Sequence, residues 1–325
     1  MSDPFDKDIS ASQWPKPEDV SFDLDEVLSG ILSLRSEIPE DAFTASTLGT
    51  ERAGHGVLIN QDGLVVTIGY LIMEARTVWL VDARGRAVSA HVVGIDQETG
   101  FGLVQALDGL DVPPVEIGCS DDLKTGDPVI LAGHGGRSSA VMSRVVAKHE
   151  FAGYWEYLLE EGIFTAPPHP FWGGSALIGE DGTLRGVGSL FLQQVLRTGK
   201  PFDGNMVVPI DLLPPILEDM VQYGSTRRPS RPWLGLLTME ADNKLVVTGL
   251  ANGGPAEEAD IRVGDLVLGI DGTPVSELAG MYRAIWAHGP PGARIPMTVL
   301  RDGTQMDITV LSANRTDFFK APLLH

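Results

Sequence analysis

The sequence predicts a mainly β chain organised as two units. Three observations predict it. Between positions 47 and 209, short apolar runs rich in β-branched residues alternate with turn pairs such as Asp62-Gly63, Arg84-Gly85 and Asp181-Gly182, the pattern of an all-β barrel or sandwich. A basic, Pro-rich stretch from Ser225 to Pro232 reads as a linker. Beyond it the strand signals resume around a single helical run, with no repeat between the two units.

The elements follow in order. Residues 1–20 are acidic and carry three prolines, which predicts a segment without fixed structure; Phe5 and Trp14 within it, and Phe22 just after, are possible anchors. Val27, Leu28, Ile31, Leu32 and Leu34 recur at helical spacing and predict one amphipathic helix over Asp23–Leu34. The runs "GHGVLI", "GLVVTIGYL", "TVWLVDA", "AVSAHVVGI", "FGLVQAL", "DPVILAG" and "AVMSRVVA" read as strands. "PIDLLPPILEDMVQYG" reads as a helix closed by Gly224. In the second unit "PWLGLLT", "KLVVTGL", "DLVLGIDG", "RIPMTVLRDG" and "QMDITVL" read as strands, and "SELAGMYRAIWAHG" as a helix closed by Gly289.

Composition narrows the function classes. A chain of 325 residues holds roughly two domains. Hydrophobic residues make up 43% and no apolar run approaches the roughly 20 residues of a membrane span, so no membrane insertion is expected. The net charge of −20 disfavours nucleic acid and anionic membranes, both polyanions. Residues 1–50 carry eleven acidic groups against three basic ones, which reads as a solvated acidic tail. Cys119 is the single cysteine, so there is no internal disulfide; its setting, IGCSDDL, suggests a buried or inert thiol. The start, MSDPFDKDIS, has neither a basic n-region nor an apolar h-region. With the lone cysteine, that predicts a cytoplasmic location, the periplasm being the alternative. No HExxH, CxxC, P-loop or strand-borne GxGxxG is present, so no metal and no cofactor are expected. "GHGG" at 133–136 reads as a turn.

The residues Trp233-Leu234-Gly235-Leu236, then "GGPAEEADIRVGDLVLGIDGTPV", then the helix, resemble the PDZ domain of the HtrA protease family. The resemblance implies a Gly-containing loop, Trp233 to Leu236, whose backbone N–H groups face one concavity suited to a carboxylate. An incoming peptide would add a strand to the sheet edge, with Met281, Ala284 and Ile285 on the helix facing it. The first unit resembles the same family, which implies a trypsin-like double six-stranded β-barrel. The implied layout is an acidic N-terminus at 1–20, the trypsin-like domain at 21–224, a linker at 225–232, the PDZ domain at 233–315 and a tail at 316–325.

The register of that resemblance locates the catalytic positions. In "GHGVLINQDGLVVTIGYLI", Gly54, Gly56, Gly63 and Thr67 match the family and Tyr70 takes the place of the general-base histidine. In "DQETGFGLV", Asp96 and Thr99 match and Gly100 takes the place of the aspartate. In "PFWGGSA", Gly173 and Gly174 match and Trp172 takes the place of the nucleophilic serine. Tyrosine, with a pKa near 10, is a poor base at neutral pH. Glycine orients nothing, and an indole offers only an N–H donor. Pro170, without an N–H, replaces an oxyanion-hole glycine. Ser175 is the remaining hydroxyl in the loop, three residues past the nucleophile position. His55, His91, His134, His149 and His169 show no spacing that pairs with it.

The substitutions predict a pseudoprotease that is not an enzyme and serves as a peptide-binding scaffold, its PDZ domain capturing protein C-termini or unfolded, extended peptides. The alternatives are a serine endopeptidase with a non-standard site at Ser175, or a chaperone-like holdase in protein quality control. The resemblance also implies a homo-oligomer, a trimer by family habit.

Overall fold

The computed structural model of the chain describes residues 9–193 and 203–320. Phe5 lies outside the described residues. Two compact units emerge. One comprises the residues up to His149, Glu161–Thr226 and Lys320; the other comprises Glu150–Glu160 and Arg227–Phe319. Sequence reasoning assigns 150–160 to the first domain, whereas the structure groups this segment with the second unit.

The first unit contains two closed six-stranded barrels. β1 (Ile31–Glu37), β2 (Glu51–Leu58), β3 (Leu64–Ile68), β4 (Thr77–Val81), β5 (Ala87–Ile95) and β6 (Phe101–Ala106) close in the order β1-β2-β3-β6-β5-β4. β7 (Pro128–Ala132), β8 (Ala140–Gly153), β9 (Tyr157–Ala166), β10 (Ala176–Ile178), β11 (Leu184–Leu192) and β12 (Gly204–Pro209) close in the order β10-β11-β12-β9-β8-β7. Small barrels of this kind are filled by inward side chains; Val57, Val65, Leu80, Phe101 and Leu103 in the first and Leu131, Ile163, Leu177 and Val207 in the second are fully excluded from solvent.

The helix expected over Asp23–Leu34 is corrected. Asp23 caps a short helix, α1 (Leu24–Ser29), its carboxylate accepting from the Glu26 N–H at 3.0 Å, and Gly30 ends it. Ile31 to Leu34 then begin β1, which pairs with both β2 and β4. A strand buried on both faces shows a continuous apolar run, which periodicity cannot separate from one face of a helix. The N-terminal segment is also better ordered than its composition predicts: Ala11–Gln13 and Pro17–Asp19 form 3-10 turns, and the Trp14 indole N–H donates to Ile9 O at 3.0 Å. Cys119 is exposed, not buried. A second short helix, α2 (Ala45–Leu48), precedes β2, and α3 (Pro214–Tyr223) ends at Gly224 with φ +75°, as its sequence predicts.

In the second unit β13 (Leu236–Ala241), β14 (Lys244–Leu250), β15 (Leu266–Ile270), β17 (Arg294–Arg301) and β18 (Thr304–Leu311) form a sheet in that order, with β16 (Thr273–Pro274) paired to β15. Two helices, α4 (Pro255–Glu258) and α5 (Leu278–Trp286), accompany it. β13 is an edge strand. The core joins Leu245, Val247, Val267, Tyr282, Ile295 and Val299, and it includes Leu158 from the 150–160 segment.

Phe101, fully buried in the first barrel, provides a test of the barrel core. Phe101→Ala is expected to cost about 3–5 kcal/mol, read as a lowered urea midpoint of the first unit.

Candidate functional site

The three positions that the resemblance marks as catalytic converge between the two barrels. Tyr70 stands in a 3-10 turn, Gly69–Leu71, directly after β3. Its hydroxyl donates to Ser189 O on β11 at 2.9 Å. Enclosure pushes that hydroxyl above its ordinary pKa, against a side-chain hydrogen bond from Trp172. Gly100 adjoins this turn: Gly69 N donates to Gly100 O at 2.7 Å. The preceding turn is built by Asp96, whose carboxylate accepts from the Thr99 N–H at 2.9 Å and the Thr99 hydroxyl at 2.7 Å. It leaves Gly100 at φ +83°, where a side chain is strained. Trp172 lies against Phe191, ring centroids 5.5 Å apart. An aromatic pair and a half-buried tyrosine thus fill the place where the resemblance puts a nucleophile and its base.

The loop around them is held by backbone pairing. His55 N donates to Gly173 O at 2.8 Å, and Gly174 N donates to Gly188 O at 2.8 Å. Gly174 has φ +77°, and a Cβ there would lie 1.9 Å from His55 O, so only glycine fits. Ser175 is fully buried, and its Oγ donates to Trp172 O at 2.9 Å. Across from it, a Cβ on Gly188 would meet that Oγ at 2.2 Å. The serine therefore closes a tight turn. The neighbouring histidines are committed to structure. His55 Nδ1 accepts from the His134 N–H at 3.1 Å, and burial holds His55 neutral with its pKa lowered to about 3. His169 Nδ1 accepts from the Phe171 N–H at 3.0 Å, which leaves Nε2 to donate to Ser139 O at 2.9 Å; burial lowers its pKa as well. Pro170 sits between His169 and Phe171, without an N–H to offer. Among the described residues no group of three or more His, Cys, Asp or Glu side chains is placed to hold a metal ion.

In the second unit the loop Trp233–Leu236 leads into β13. Gly235 takes φ +77°, and the N–H groups of Leu234 and Leu236 point into one concavity. That concavity holds a carboxylate. Glu156 accepts from Leu234 N at 3.1 Å and from Leu236 N at 2.9 Å. Glu156 is buried. Burial raises its pKa to about 7, while the loop N–H groups and the charge of Arg315 pull the other way. Met281 and Ile285 are fully buried in the domain core, and Ala284 packs against it in part. The α5 residue that meets the groove is Tyr282, whose hydroxyl donates to Gly153 O at 2.7 Å and accepts from Glu156 N at 3.3 Å. Sequence reasoning passes over both Glu156 and Tyr282. The only sequence signal for them is a cluster of aromatic residues around an acid in "FAGYWEY".

Residues 54–187 match the model of the trypsin-like peptidase domain, and residues 232–311 match that of the PDZ domain. The chain belongs to the HtrA-like family. The HtrA-like chain is 26% identical to the probable periplasmic serine endoprotease DegP-like of Halomonas elongata, over 79% of this chain and 55% of that protein. It is also 26% identical to the periplasmic serine endoprotease DegP of Escherichia coli K12, over 79% of this chain and 56% of that protein. It thus spans about half the length of these relatives. Among solved structures, HtrA-type protease AlgW with decapeptide matches 89% of this chain and 97% of its own, at 21% identity and a TM-score of 0.51, a likeness of fold.

Two expectations are corrected here. The substituted triad positions predict a chain that is not an enzyme, whereas the curated relatives are named serine endoproteases. Three side chains test one arrangement of catalytic groups, and the expectation extended that test to the activity of the whole fold. The cytoplasmic expectation is likewise overturned by relatives named periplasmic. A chain with one cysteine forms no internal disulfide in any compartment, so that count does not report location.

The Glu156 carboxyl titrates near 7 in the folded chain against an ordinary 4.5. Folding therefore takes up a proton between these values, so the stability it contributes is complete below about pH 4.5 and is lost as pH rises through about 7. Arg315 and Tyr282 face the group, and burial keeps the tyrosine neutral. The urea midpoint of the second unit is expected to fall between pH 5 and pH 8, and Glu156→Gln to flatten that fall.

Proposed function

We propose that this HtrA-like chain captures protein C-termini or extended segments in its PDZ groove, in periplasmic protein quality control. The observation that carries the proposal is the pair of N–H groups on Leu234 and Leu236, which hold a carboxylate at 3.1 and 2.9 Å. A peptide's terminal carboxylate is the same chemical group, and β13 is an edge able to accept its backbone. The peptide-bound AlgW structure and the relatives named periplasmic support this reading. Immobilised wild-type chain is expected to retain a degenerate decapeptide library with free carboxyl ends and to pass the same library amidated. Gly235→Ala, strained at φ +77° and with its Cβ 3.0 Å from Ala251 Cβ, is expected to lose retention at least tenfold while thermal melting shows the first unit intact. Equal retention of free and amidated libraries would overturn the reading.

The relatives' names favour a second reading, serine endopeptidase activity. On this chain it falls to Ser175, whose hydroxyl must leave Trp172 O to attack. A fluorophosphonate probe is then expected to label Ser175, with labelling and cleavage of a denatured substrate both lost in Ser175→Ala. An unlabelled Ser175 in a folded chain sinks this reading.

A further inference from the structure

The carboxylate in the PDZ loop belongs to the chain itself, on the hairpin that joins β8 and β9. Residues Glu150–Glu160 at its tip belong to the second unit, and three of them, Gly153, Tyr154 and Glu156, reach the groove. Tyr154 O accepts from Thr238 N on the β13 edge at 2.9 Å. Tyr282 on α5 donates to Gly153 O at 2.7 Å. Two residues beyond Tyr154, the Glu156 side chain reaches the N–H groups of Leu234 and Leu236. A backbone hydrogen bond to the edge strand followed by a carboxylate in the loop resembles the geometry of an added peptide strand. We propose that Gly153–Glu156 is an internal ligand of the PDZ groove, which closes the groove to outside C-termini until they displace it.

Four features are built for this contact. Glu156 adopts φ +60°, a left-handed conformation that favours glycine and is costly for other residues; glutamate at this position is accounted for by its carboxylate. The tip is anchored by Leu158, buried in the domain core, and by Trp155, whose ring stacks on Tyr157 at 5.5 Å. Arg315 donates to Trp155 O at 3.4 Å. The stem is tied to α5 by Arg283, paired with Glu150 and, at 2.8 Å, with Glu160. A tethered segment presents itself at an effective concentration of order millimolar, which a free peptide must exceed or outbind.

The inference rests on the capture reading, and its test separates the two. Glu156→Gly suits φ +60° and removes the carboxylate without straining the fold. Tyr282→Phe deletes the hydroxyl bonded to Gly153 O and Glu156 N while leaving the loop intact. A hairpin docked nine-tenths of the time raises the apparent Kd about tenfold. The free-carboxyl decapeptide library, titrated against the full chain, is therefore expected to reach half-saturation at about tenfold lower concentration with Glu156→Gly, and at an intermediate concentration with Tyr282→Phe. Equal half-saturation for wild type and both variants overturns the internal ligand and leaves capture standing. No saturable retention by any of the three folded chains overturns capture itself, and the internal ligand with it.

Discussion

An unpaired strand edge exposes N–H and C=O groups that must find a partner, and the architecture follows from how each edge is covered. Among the described residues, the twelve strands of the first unit close into two barrels that leave no open edge, and their inward residues are mostly apolar. The six-stranded sheet of the second unit, with β16 paired to β15, does not close on itself, and β13 stays at its margin. Its Thr238 N–H is satisfied by Tyr154 O. The open edge that makes a peptide groove possible is thus the same edge that the hairpin tip occupies.

Closure also explains the loops between the barrels. Gly54, Gly173, Gly174 and Gly188 allow β2, β11 and the 172–175 turn to approach so closely that a Cβ at any of them would meet its neighbour at under 3 Å. This framework fixes where side chains point without fixing what they are. Tyr70, Gly100 and Trp172 occupy the convergence point, packed and hydrogen-bonded, and Ser175 closes its turn. The scaffold of the trypsin-like domain and the chemistry at its centre are specified by separate sets of residues.

Much of the fold was legible in the sequence. Glycines at turns, β-branched runs and the linker 225–232 marked the units, and the long "GPAEEADIRVGDLVLGIDG" signature identified the second. β1 was misread because Ile31–Leu34 is buried on both faces, and β9 was missed because Glu160-Glu161-Gly162 interrupts its apolar run. In the groove, the loop Trp233–Leu236 was legible because backbone geometry is written in its glycine. Met281 and Ile285 face the core, while Tyr282 reaches through it to place its hydroxyl on the hairpin; helical spacing locates a face but does not say what lies against it. Glu156 was invisible because its partners, Leu234 and Leu236, are 78 and 80 residues away, and no local pattern encodes a contact of that range.

A glutamate held in cis has a consequence for how the groove responds. An occupant carried on another molecule would fill the groove more as the protein became more abundant. The hairpin fills it to the same degree at any protein concentration, because the competition is unimolecular. Abundance then changes only the number of receivers, and the strength of the Glu156 contact acts as a set point for how much of a client must accumulate before it is noticed.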